Sequence, residues 1–279
     1  MKLWYEFWQL LPFEMLHWKF MCNALLAVIL MAPLFGLCST MIVSGRMSFF
    51  SDALGHSAFT GIAIGCLCGL SDPTWVSVLF AVAFAALFSF VRSKSNQAAD
   101  TIIGVFSSTA VALGIFIATL GGDSFTKFNR YLIGDILSIT PGQIGMLFLV
   151  LVGVALFWIL FSNKLTLSSV HPQLASSRGI RVPLLQGLFT VAIAVVVTLT
   201  ISCVGLLILN SLLVLPSAAA RNISRNMRQY HIFSIMFALI AGVSGLIISY
   251  FLGASSGAAI SLILALIYAV CFMLRKVRG

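Results

Sequence analysis

Apolar stretches of membrane-spanning length recur along almost the whole chain, and no other feature constrains the fold as strongly. Nine can be drawn: Phe20–Val43, Asp52–Leu70, Pro73–Val91, Thr101–Leu120, Gln143–Phe161, Leu184–Ser202, Val204–Ala220, Ile232–Leu252 and Ser256–Leu274. A helix needs about 20 predominantly apolar residues to cross the hydrocarbon core. The runs are rich in Ala, Leu, Ile and Gly. They lack the period-2 alternation over about 10 residues that marks a transmembrane barrel strand. The expected fold is therefore all-α, a polytopic transmembrane helical bundle of about nine spans. Only 8% of the 279 residues are charged and 61% are hydrophobic. A soluble domain averages about 25% charged residues, so a soluble enzyme, a disordered chain and a collagen-like fibre are excluded.

The spans divide the chain simply. Residues 1–19 mix Trp4, Tyr5, Trp8, Phe13 and Trp18 with Glu6, Glu14 and Lys19. That is the composition of an amphipathic segment lying in the membrane interface. It lacks the basic start, apolar centre and small-residue cleavage site of a signal peptide. Residues 20–279 form one transmembrane domain. The sixth and seventh spans are nearly continuous, with a turn near Cys203–Gly205. The stretch between Phe161 and Leu184 is too polar to span.

Lys and Arg set the orientation. Arg46, Arg92, Lys94, Lys164, Arg178, Arg181, Arg221, Arg225, Arg228, Arg275, Lys276 and Arg278 fall on one side of nine spans, while Lys2, Lys19, Lys127 and Arg130 fall on the other. The richer side is expected to be cytoplasmic, which puts the N-terminus outside and the C-terminus in the cytoplasm. This bias accounts for the net charge of +9. No basic run is interleaved with aromatics, so no nucleic-acid partner is expected. The six cysteines read as small buried hydrophobes.

Few ionisable groups fall at membrane depth, and each is a candidate functional residue. The strongest feature is Ser51-Asp52-Ala53-Leu54-Gly55-His56-Ser57. Asp52 and His56, four apart, share one helix face. A carboxylate and an imidazole at that spacing can hold one divalent cation, zinc or, with less selectivity, manganese or iron(II). Two donors do not complete a coordination shell, so other helices or a second copy must contribute. The alternative is an N-capping Asp52 with His56 bonded to a neighbouring carbonyl. Asp100 reads as an N-cap, and His17, His171 and His231 as solvated histidines.

Two further segments stand out. In His171-Pro172-Gln173-Leu174-Ala175-Ser176-Ser177-Arg178-Gly179, Pro172 suits a first helical position and Gly179 a helix stop. The segment reads as a two-turn helix in a cytoplasmic loop, lying on the membrane or docking into a partner. In the seventh span, Pro216 is expected to kink the helix. Asn210 and Ser211 either line a pathway or bond across helices.

Several of these motifs together resemble the metal-ion ABC transporter permeases of the zinc, manganese and iron type. Gly45-Arg46-Met47-Ser48-Phe49-Phe50-Ser51-Asp52-Ala53-Leu54-Gly55-His56 resembles that family's signature. So do Ala99-Asp100-Thr101-Ile102-Ile103-Gly104, Tyr131-Leu132-Ile133-Gly134-Asp135-Ile136-Leu137, Leu213-Val214-Leu215-Pro216-Ser217-Ala218-Ala219-Ala220-Arg221 and Ser255-Ser256-Gly257-Ala258-Ala259. The wording Arg-Met-Ser-Phe-Phe and Leu-Pro-Ser-Ala-Ala-Ala-Arg is closest to the zinc-importing branch. The resemblance implies a homodimeric permease in the cell membrane, fed by an extracytoplasmic metal-binding protein and driven by a separate ABC ATPase. It implies metal contact by Asp52 and His56, with zinc ahead of manganese and iron(II). It also implies that Pro172, Gln173, Leu174, Ala175, Ser176, Arg178 and Gly179 form the coupling helix that meets the ATPase.

The chain departs from the family pattern twice. His171-Pro172-Gln173 replaces an acidic-Pro-Glu start, and no histidine stands near Ser107-Ser108, where zinc-branch members can carry one. The sequence has no Gly-x-x-x-x-Gly-Lys-Ser/Thr phosphate loop, so ATP is expected on a partner subunit, and no cofactor is expected in this chain. Two readings from other classes compete. Gly242-Val243-Ser244-Gly245 matches the serine motif of rhomboid-type proteases, but no histidine follows Ser244 to serve as base. An ATP-independent transporter or channel calls for more intramembrane carboxylates and an inverted repeat that the sequence does not show.

Overall fold

The computed structural model describes residues 17–70, 73–120 and 136–278. Most of the expected interfacial segment, 1–16, and the Tyr131–Asp135 motif lie outside them. Ten α-helices follow in order: α1 (Lys19–Ser44), α2 (Phe50–Leu67), α3 (Thr74–Lys94), α4 (Ala99–Leu120), α5 (Pro141–Val170), α6 (Pro172–Ser177), α7 (Val182–Val204), α8 (Leu206–Ile223), α9 (Met227–Leu252) and α10 (Ser256–Arg278). One 3₁₀ turn, Ile136–Ser138, precedes α5. The described residues contain no strand.

Each of the nine apolar stretches forms one long helix. Eight of these are long and apolar enough to cross a membrane; α2 is not among them. It has 18 residues, and Asp52, His56 and several hydroxyls dilute its apolar content.

Local chemistry explains most of the boundaries. α7 and α8 are parted by Gly205 alone, at φ 83 and ψ 162, a conformation open essentially to glycine. Pro216 lies inside α8, and the helix runs past it to Ile223. α5 does not stop at Phe161 as the polarity suggests; it runs nine residues further. Nothing between Val154 and Val170 breaks a helix, and the Ser168 and Ser169 hydroxyls donate back to Leu165 and Thr166 carbonyls at 2.8 and 3.0 Å. Pro172 ends it by excluding the residue before it from helical geometry, and His171 sits at φ −136 and ψ 79.

The chain divides into two compact units. Of the described residues, one comprises 17–40, 136–157 and 203–278, where α8, α9 and α10 pack on one another. Small residues bring α1 close to α9 and α9 close to α10: a Cβ on Gly36 would lie 2.8 Å from the Ile235 Cα, and one on Gly245 would lie 2.8 Å from that of Ile260. The other unit comprises 41–70, 73–120 and 158–202, where α2 packs against α3 and α4.

Candidate functional site

The candidate site is built on α2, and the corner before it is strained. α1 ends with Met47 N–H bonded to the Ile42 carbonyl and Arg46 N–H to that of Val43. This is the closure in which one residue turns left-handed. That residue is Arg46, at φ 54, and it alone among the described non-glycine residues has a positive φ. Arg92 Nη2 donates to the Gly45 carbonyl at 3.2 Å, tying the corner to α3. α2 then starts at Phe50 with no side-chain cap.

Asp52 is therefore not an N-cap. It lies in the first turn of α2, where a carboxylate is stabilised by the positive end of the helix dipole. His56 follows one turn later, and its Nε2 stands 3.4 Å from Asp52 Oδ2. The side chains are 26% and 45% exposed, for His56 and Asp52 respectively. Every other residue from Phe50 to Ala63 is buried. The helix thus hides all its early side chains except the two that can bind a cation.

α3 and α4 hold this helix by its backbone. Ser77 Oγ on α3 donates to the Ala58 carbonyl at 2.7 Å, and Thr60 Oγ1 donates to the Ala110 carbonyl of α4 at 2.7 Å. Phe50 stacks on Phe88 with centroids 4.4 Å apart, and Phe88 meets Phe106 edge-on at 5.4 Å. A Cβ on Gly61 would lie 2.5 Å from the Ser77 Cα, and one on Gly65 2.6 Å from Pro73 Cβ. These contacts fix the rotation of α2 about its axis, and so the direction in which Asp52 and His56 point.

The described residues contain no cluster of three or more His, Cys, Asp and Glu side chains. The expected pair is brought together, and the other expected residues lie elsewhere. Ser211 on α8 bonds across helices, its Oγ 2.6 Å from Ser261 Oγ of α10; Asn210 is half-buried beside it. In α6, Pro172 opens the helix and Gly179, at φ 76, closes it. The Ile180 and Gly179 N–H groups bond to the Ala175 and Ser176 carbonyls, which makes a Schellman stop. Ala175 is buried, while Pro172, Gln173, Leu174, Ser176 and Arg178 are exposed.

Three expectations need correction. Asp100 is not a cap but lies inside the first turn of α4, and the Ala98 carbonyl accepts the first bonds. Cys68 is exposed. His231 is not a solvated histidine: it lies in α9, half-buried, with Nδ1 2.9 Å from Thr40 Oγ1 of α1. The Thr40 hydroxyl donates its one hydrogen to the Leu37 carbonyl at 2.7 Å, so it accepts from His231 Nδ1–H. Ser39 and Ser217 bond beside it at 2.6 Å, and Ser234 Oγ donates to the Gly36 carbonyl at 2.8 Å. The partners are nearly 200 residues apart, and no local sequence signal pairs them.

Comparisons with known proteins agree in outline. The sequence pattern described as the ABC 3 transport family matches residues 17–275. The chain is 25% identical to the manganese transport system membrane protein MntC of Listeria monocytogenes, over 95% of this chain and 94% of that protein. It is also 25% identical to the high-affinity zinc uptake system membrane protein ZnuB of Haemophilus influenzae, over 91% and 97%. Among solved structures, PsaBC from Streptococcus pneumoniae in complex with Fab superimposes with a TM-score of 0.78 at 25% identity, covering 97% of this chain and 95% of that one.

Proposed function

The chain belongs to the ABC 3 transport family, and on that premise we propose that it is the membrane-spanning permease subunit of an ATP-driven importer for a divalent transition-metal ion, zinc foremost. The observation that carries this reading is the Asp52–His56 pair, exposed on a helix otherwise buried through its first turns. A carboxylate and an imidazole form a borderline donor set suited to zinc. With only two side-chain donors, the pair holds its ion loosely enough to release it, as a transit site must. Backbone carbonyls, water or a second copy supply the remaining donors.

The reading assigns the other parts as follows. A separate ABC ATPase binds and hydrolyses ATP and docks on α6, where Leu174 is 44% exposed above buried Ala175. An extracytoplasmic binding protein delivers the metal, and two copies of the permease form the pathway. The side with twelve basic residues faces the cytoplasm. Manganese is the second reading. It is motivated by the name of the Listeria relative and by donors that also suit that ion.

The test is reconstitution with the ATPase and the binding protein in proteoliposomes. ATP-dependent zinc uptake that exceeds manganese uptake at equal concentrations is the expected result. A manganese preference would move the assignment to the second reading. Uptake that persists with an inactive ATPase would overturn the importer altogether.

A further inference from the structure

The C-terminal half of the chain carries unbalanced charge. None of the 144 residues after Asp135 is acidic, while nine are Lys or Arg. Four of these arginines gather where α8, α9 and α10 begin or end. Arg221 lies in the last turn of α8, Arg225 in the connecting turn, Arg228 in the first turn of α9 and Arg275 near the end of α10. All four are exposed. Among the described residues none of them has a carboxylate partner, since the one ion pair there is Asp52–His56.

A cavity of about 270 Å³ opens beside one of them, Arg225, and is lined by it with Ile223, Gln229, Phe233 and Leu274. Its polar wall is made of donors. Gln229 Oε1 accepts the Arg225 backbone N–H at 3.0 Å, so the amide oxygen is engaged and the NH₂ group remains to donate. Asn226 Oδ1 caps α9 by accepting the Gln229 N–H at 2.8 Å, so the positive field here is carried by the arginine side chains. Arg275, next to Leu274, is steered by Nη1 donating to Asn222 Oδ1 at 3.4 Å. The opposite wall, Ile223, Phe233 and Leu274, is apolar.

Arginines without a carboxylate partner call for an anion. The apolar wall, at the ends of three membrane-spanning helices, calls for an anion joined to hydrocarbon. We propose that this cavity binds the phosphate of an anionic phospholipid headgroup, held by Arg225 and the Gln229 amide, with the start of an acyl chain against Phe233 and Leu274. Basic pockets between transmembrane helices recognise headgroups in this way. A free phosphate ion would use only the polar wall, and an acidic protein surface would leave Phe233 uncovered.

The test is native mass spectrometry of the purified full-length chain in micelles doped with phosphatidylglycerol, phosphatidylcholine or inorganic phosphate. The expected result is retention of phosphatidylglycerol over phosphatidylcholine. Arg225→Ala reduces that preference about fivefold, as one basic residue near an anionic leaflet warrants, and Arg225→Lys keeps most of it. Equal retention of the two lipids by the wild-type chain overturns the proposal and needs no variant. Phosphate retained as tightly as phosphatidylglycerol overturns it in favour of a plain anion site. An Arg225→Ala chain with unchanged lipid retention but weakened ATPase assembly overturns it in favour of a protein contact.

Discussion

Helices α2 and α5 carry three glycines and one Asp or Lys each, yet their surroundings are opposite. In α5, the most apolar of the eight candidate spans, only 17% of the apolar window is buried. Leu149 and Ile159 are 71% and 77% exposed. Cβ atoms added at Gly142, Gly145 and Gly153 would meet nothing within 4 Å. In α2, 13 of 18 residues are buried, and Gly61 and Gly65 lie against the backbone of Ser77 in α3 and the ring of Pro73 just before it. Apolar composition therefore tracks exposure at the surface of the chain. A helix solvated by other helices can give up apolar content for hydroxyls and a cation-binding pair. The helix that hydropathy counts least readily is the one that carries the Asp52–His56 pair.

That contrast can be broken by substitution, with thermal unfolding of the purified chain as the readout. Phe88→Ala removes the ring between Phe50 and Phe106 and is expected to cost about 3–5 kcal/mol, whereas Leu149→Ala on exposed α5 stays within about 0.5 kcal/mol. A comparable loss at Leu149 would show that α5 is covered by protein. Gly61→Ala drives a Cβ into the Ser77 backbone and should cost about 1–3 kcal/mol. Gly153→Ala should instead stabilise by up to about 1 kcal/mol, because alanine is the better helix former. Equal effects at the two glycines would erase the distinction between the helices. Arg46→Gly relieves the left-handed corner ahead of α2 and should gain about 1 kcal/mol; a loss would mean that the arginine side chain outweighs its backbone strain. Ser77→Ala breaks one interhelical bond to α2 and should cost about 0.6 kcal/mol, typical inside membranes.

Much of this was legible in the sequence. The nine long helices follow from apolar runs, and α6 from Pro172 and Gly179, because both signals are local. The i, i+4 spacing of Asp52 and His56 placed them together because helix geometry is fixed. What failed depended on surroundings. The continuation of α5 to Val170 is invisible to hydropathy, because polarity ends a membrane span and not a helix. The environment of His231 is invisible to the sequence because its partner, Thr40, is brought to it only by packing of α1 on α9. The Ser211–Ser261 bond, like His231–Thr40, joins residues on different helices, and no local pattern pairs them. The burial that sets α2 apart from α5 depends on the neighbours' shapes, which no single-helix pattern encodes.

The central claim is that α2 presents Asp52 and His56 to the transported ion. Its most direct measurement is ATP-dependent uptake of radiolabelled zinc and manganese by proteoliposomes holding the assembled transporter, with Asp52→Ala and His56→Ala compared with Lys164→Ala on α5. Either α2 variant should reduce uptake at least about tenfold, since losing even an outer-shell partner of a metal site costs that much. Membrane content and ATPase assembly should stay unchanged, and Lys164→Ala should transport normally. Normal uptake by both α2 variants would contradict the account.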